Sequence, residues 1–188
     1  MKRTYTSRRR EESAERTRQA IINAAITMHS QGITTLPAVA EEAGVSLPTV
    51  NKHFPTREHL FAACTEHVMT TLDFPSPDTL ADIPDRAQRI TQLVTEVFRM
   101  HEKTFGVSWT GYRLEAESPV LAKVNADYED FVGQMVDALH ITGSDTLRMF
   151  ARALLNPLTY RALRLRSGLD FDAAVQHTAQ ALIALLDT

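Results

Sequence analysis

Apolar residues in this chain return at helical rather than alternating spacing, and that periodicity makes the expected fold class all-α. Between residues 11 and 31, for instance, Ile21, Ala25 and Met28 form one stripe and Ile22 and Ile26 lie beside it. Seven glycines and eight prolines in 188 residues leave room for few turns. A hydrophobic share of 44% is enough for a sizeable core. No run approaches the ~18–20 consecutive apolar residues of a membrane helix, so no membrane partner is expected. The basic start is followed by Glu11 and Glu12 rather than by an apolar stretch, which is unlike a secretory signal. The single cysteine, Cys64, has no internal disulfide partner and fits a reducing, cytoplasmic setting.

Punctuation divides the chain. Residues 1–10 carry Lys2, Arg3, Arg8, Arg9 and Arg10 with no aliphatic beyond Met1 and read as a flexible basic arm. A long helix is expected from about Glu11 to Gln31, stopped by Gly32. Three short helices follow. The first begins after Thr35 and ends at Gly44; the second is capped by Ser46 and runs to about Phe54; the third is capped by Thr56 and runs to about Leu72. The stretch from Asp73 to Pro84, with three prolines and three aspartates, predicts a loop. Further helices are expected near Asp85–Thr104, Val107–Glu117, Pro119–His140, Ser144–Ser167 and Asp170–Asp187, with gaps at Gly143 and Gly168.

The segment Thr35 to Phe54, TLPAVAEEAGVSLPTVNKHF, is helix, tight turn at Gly44, helix. A second helix of about eight residues cannot stabilise itself alone; neighbours must hold it and present it. That is the arrangement in which one helix crosses a DNA backbone and the next enters the major groove. Charge agrees with it. Residues 1–60 hold nine Lys/Arg against six Asp/Glu, whereas the remainder holds eleven against seventeen. A basic head on an acidic body suits a protein whose first part alone meets phosphate.

The run AEEAGVSLPTVNKHFPTREHLF, with the long helix before it, resembles the reader domain of the tetracycline-repressor (TetR) family of bacterial regulators. The length of the chain also resembles that family, as does NPLTYRALRLRSG followed by an amphipathic last helix, which looks like its C-terminal dimerisation pair. The resemblance implies an N-terminal three-helix, helix-turn-helix DNA-binding domain over residues 11–56. Residues 57–188 then form a helical ligand-binding and dimerisation domain. By matching position it implies that Leu47, Pro48, Thr49, Asn51, Lys52 and His53 face DNA, with Arg57 at a phosphate. Family members usually have an aromatic residue where this chain has Asn51; its amide can donate to phosphate or read adenine. Val45, Val50 and Phe54 read as core of the small domain.

Met100, His101, Phe105, Trp109, Tyr112, Arg113, Phe131 and Met135 cluster where the family keeps its pocket. Packing in the core is an equally open reading of each. The expected partners are a double-stranded, palindromic DNA operator, a second copy joined through the last two helices, and a small-molecule effector whose identity the sequence leaves open. Release of the operator by that effector, and repression, come from the resemblance alone. Cys64, His67 and His59 stand near one another in sequence, but a structural metal site wants four ligands, so neither metal nor cofactor is expected. No nucleophile elbow, phosphate loop, zinc-protease helix or paired-carboxylate pattern is present, which leaves an enzyme without a catalytic set. A helical module that binds protein instead of DNA remains the alternative from another class.

Overall fold

The computed structural model describes residues 2–72, 74–139 and 145–186, with side chains from residue 8 onward. The expected gap at Gly143 and the start at Ser144 lie outside the described residues, as do the side chains of Lys2 and Arg3. Ten α-helices and no strand occur among the described residues: α1 (Lys2–Ser30), α2 (Leu36–Glu42), α3 (Leu47–His53), α4 (Arg57–Thr71), α5 (Pro77–Ala81), α6 (Arg86–Leu114), α7 (Pro119–Asp137), α8 (Asp145–Leu154), α9 (Pro157–Leu165) and α10 (Phe171–Leu186). None of them is long and apolar enough to cross a membrane.

Four differences from the expected elements have local causes. The helical backbone begins at Lys2 rather than near Glu11: no proline or glycine interrupts residues 2–30, and Arg8 pairs with Glu12 one turn on at 3.1 Å. The expected loop before Pro84 contains α5, capped by Ser76 with Pro77 in the first turn. The two helices expected on either side of Gly106 are one continuous α6. Conversely, the single helix expected over 144–167 is broken between α8 and α9. There the Asn156 side chain accepts from Leu158 N at 2.8 Å, and Pro157 has no N–H to continue the ladder.

The N-terminal core is built by Ile21, Ile22 and Ala25 of α1, Val39 and Ala40 of α2, Val50 of α3, and Leu60, Ala63 and Cys64 of α4, with Phe54 closing it. Val45 packs at its edge. The larger core runs through α6, α7 and α8–α10, around Phe98, Met135, Leu155, Tyr160 and Leu182. Between them, Phe61 of α4 meets Leu114 and Leu121, so α4 buries one side in each unit. Polar ties hold the same junction. Thr110 Oγ1 donates to the His29 carbonyl at 2.7 Å and Arg113 to the Gly32 carbonyl at 2.8 Å. On the other side, Ser118 Oγ donates to Glu58 Oε2 at 2.6 Å.

Candidate nucleic-acid interface and central cavity

The α2–α3 turn sits at Gly44, whose φ of +64° is the left-handed conformation an L side chain resists. Ser46 then caps α3: its Oγ accepts from Thr49 N at 3.3 Å and lies 2.8 Å from Thr49 Oγ1. Val50 is buried and pins the helix, which leaves Leu47, Pro48, Asn51 and Lys52 exposed and Thr49 and His53 half-buried. Six of the seven expected DNA-facing residues are thus displayed on one short helix. Arg18 of α1 lies over the Phe54 ring at 5.4 Å and fixes the end of α3. Arg57, the seventh, is engaged otherwise. Its guanidinium lies over Phe61 at 5.3 Å and 3.9 Å from Glu117 of the body.

A cavity of about 440 Å³ lies between the two units. Cys64, Val68 and Met69 of α4 wall one side, Met100, Val107, Gly111 and Tyr112 of α6 another, and Leu121, Val124, Tyr128 and Phe131 of α7 a third. His29 of α1 and Phe74 also reach it, Phe74 standing edge-on to Phe131 at 5.7 Å. The lining is overwhelmingly apolar, as in sites for small organic ligands.

Of the eight residues expected at a pocket, the fold brings Met100, Tyr112 and Phe131 to this cavity. It sends the other five elsewhere. Met135 is fully buried in the body core. Phe105 packs against that core, edge-on to Tyr160. Trp109 is 39% exposed with the Arg161 guanidinium 4.6 Å from its ring centre, and Arg113 holds the Gly32 carbonyl. His101 is a clamp: its Nε2 donates to the Leu155 carbonyl at 2.8 Å while Nδ1 accepts from Tyr128 Oη at 3.1 Å. For the four on α6 the cause is helix phase, since positions 100, 104, 107, 108, 110, 111 and 112 of that helix line the cavity.

The α4 wall and His29 were not singled out from sequence. For α4 a signal existed, because its apolar residues surround the helix and imply contacts on two sides. For His29 none did. It is 3% exposed and its Nε2 has no hydrogen-bond partner. Burial, aided by the positive charge of Arg57, lowers its pKa to about 4. Burial likewise pushes the Cys64 thiol up to about 12, so it is an inert core side chain. His67 contacts Gln19, and His59 contacts Thr56.

Residues 21–64 match the model of the bacterial regulatory proteins of the tetR family. That segment spans the core of the helix-turn-helix unit and part of α4. Residues 21–64 belong to the tetR family. That segment is therefore a helix-turn-helix unit of the kind found in bacterial regulatory proteins of this family. No curated protein matches the sequence. Among solved structures, similarity extends over the whole fold. A transcriptional regulator from Rhodococcus sp. Rha1 is 17% identical with a TM-score of 0.67, covering 90% of this chain and 95% of its own. NalD of Pseudomonas aeruginosa, the secondary repressor of the MexAB-OprM multidrug efflux pump, is 21% identical with a TM-score of 0.61, covering 93% and 98%. The multidrug binding protein EbrR, solved with imidazole, is 24% identical with a TM-score of 0.56, covering 90% and 89%. At these identities the TetR-type fold is what is shared.

Proposed function

We propose that the protein is a homodimeric repressor that binds a palindromic operator through α3 of each copy and leaves it when a small, mainly apolar effector enters the central cavity. The observation that carries this reading is the position of the cavity. Its wall is made partly by α1 and α4, which also form the core of the DNA-binding unit, and partly by α6 and α7 of the body. A ligand that prefers one α4–α6 arrangement over another shifts the spacing of two reader heads, and operator occupancy shifts by its differential affinity. NalD and EbrR, a repressor of a multidrug pump and a multidrug binding protein, lend the reading support by analogy of fold.

Leu47, Pro48, Thr49, Asn51, Lys52 and His53 are the proposed DNA contacts. Thr49 serves phosphate or a base edge, Pro48 a thymine methyl, Asn51 phosphate or adenine, and Lys52 phosphate. Arg57 reaches phosphate only by leaving Glu117, which couples DNA contact to the body. Selection from a random duplex pool should enrich a site with twofold symmetry, with half-sites about one helical turn or a multiple apart. On that site Thr49→Ala with Lys52→Ala should lower affinity while the helical circular dichroism stays intact. Lys52→Ala alone should reduce the slope of log K against log salt by about 1. No enriched site, or a slope and affinity untouched by these changes, sinks the DNA reading and favours a protein partner.

A further inference from the structure

We propose that the molecule received by the central cavity hydrogen-bonds to His29, a side chain of the DNA-binding unit itself, and is therefore a largely apolar compound carrying a hydroxyl group. The proposal rests on the reading of that cavity as the effector site. Most polar side chains around the wall already have partners. Tyr128 Oη pairs with His101, Tyr112 Oη with Glu129, and Asn125 Nδ2 with Glu115. Ser108 pairs with Thr104, Thr110 with the His29 carbonyl, and Asp127 with Lys123. His29 is different: it lines the cavity, is almost fully buried, and its Nε2 meets neither donor nor acceptor. The ring is held edge-on to Phe61 at 5.1 Å.

An unpartnered buried imidazole nitrogen is costly to the folded state, and a ligand group that completes it recovers what its own desolvation loses. His29 is uncharged near neutral pH because burial and Arg57 both disfavour the imidazolium. A neutral imidazole has one N–H and one lone pair. A hydroxyl, which both donates and accepts, completes either tautomer. A cationic group at this end would meet Arg57 and gain nothing from a neutral ring. The bond would also act on the residue whose carbonyl joins α1 to α6 through Thr110, so such a ligand bridges reader and body directly.

The test uses two near-isosteres, 2-naphthol and 2-methylnaphthalene, titrated calorimetrically into the full-length protein, His29→Phe and His29→Gln. In the parent protein 2-naphthol should bind at least as tightly. The affinity ratio of naphthol to methylnaphthalene should fall about tenfold in His29→Phe. In His29→Gln, whose amide donates and accepts, it should stay within about threefold of the parent. If both probes bind and the ratio is the same in His29→Phe, the hydroxyl is met elsewhere and this inference falls while the cavity reading stands. If neither probe binds the parent, the cavity reading itself falls and takes the inference with it. Should the variants lose their helical signal, the imidazole ¹⁵N resonances of His29 in the parent decide. A shift with 2-naphthol that 2-methylnaphthalene does not produce supports the bond, and equal shifts overturn it.

Discussion

His29 and His101 are both buried and uncharged, with pKa values lowered to about 4 chiefly by burial. An unfolded chain titrates its imidazoles near 6.5. Well above that value neither state holds the protons and these groups leave stability unchanged. As pH falls from about 6.5 towards 4, the unfolded state takes up two protons that the folded state excludes. Stability therefore drops with pH, by up to about 3 kcal/mol per histidine. Urea denaturation followed between pH 7 and 5, above most carboxylate titration, should show the midpoint falling. His29→Gln should flatten the dependence by about half, and a midpoint flat over that range would contradict the buried, neutral state of both rings. Neither role was visible in sequence. His101 looked like a polar group for a ligand, but its contacts, Leu155 in the α8–α9 turn and Tyr128 of α7, stand more than twenty residues away in sequence.

At the scale of elements, α6 shows how a glycine can be misread. Gly106 suggested a break between two helices, yet it stands inside one 29-residue helix, where its lack of a side chain is a packing requirement. A Cβ there would lie 2.1 Å from the Ser30 carbonyl oxygen, too close for any rotamer adjustment, because the obstacle is backbone. Gly106→Ala should therefore force α1 and α6 apart and destabilise the protein by about 1–3 kcal/mol, although alanine is the better helix former. A urea midpoint raised by the substitution would show that the crossing is not tight. The short helices behaved otherwise. Ser46, Thr56, Pro48 and Gly44 are local signals acting within one turn, and α3 and α4 start where they indicate. Asn156-Pro157 carries the same kind of signal, and the length of the surrounding apolar pattern hid it.

For the whole molecule, the apolar surface left uncovered marks where a second copy is expected. Leu155, Leu182 and Leu186 are consumed by the protomer's own core. Exposed instead are Met149 and Phe150 of α8, at 68% and 54%, and Leu158 and Leu165 of α9, at 40% and 56%. A concentration of large exposed apolar side chains on α8 and α9 suits an isologous helical interface. The proposed interface therefore includes α8 beside the last two helices. The parent should sediment as a dimer at about 10 µM, and Phe150→Asp with Leu165→Asp should yield a folded monomer that loses most operator affinity, since one short reader helix offers too few contacts alone. A monomeric parent at that concentration would end the dimer proposal.

Legible along the chain were the helical class, the contrast between a basic head and an acidic body, and the start of the short helix α3 after Ser46. Each of these follows from periodicity, capping or charge, which act over a few residues and can be read along the chain. Packing across the molecule settles which of the aromatic and polar residues in α6 and α7 face a cavity, that α4 and His29 line it, and that Arg57 turns to Glu117. Those outcomes depend on the rotation of each helix about its axis and on the partners met across the junction. A quarter-turn of phase moves a side chain from core to cavity, and it is set by packing between residues distant in sequence, such as Gly106 against Ser30.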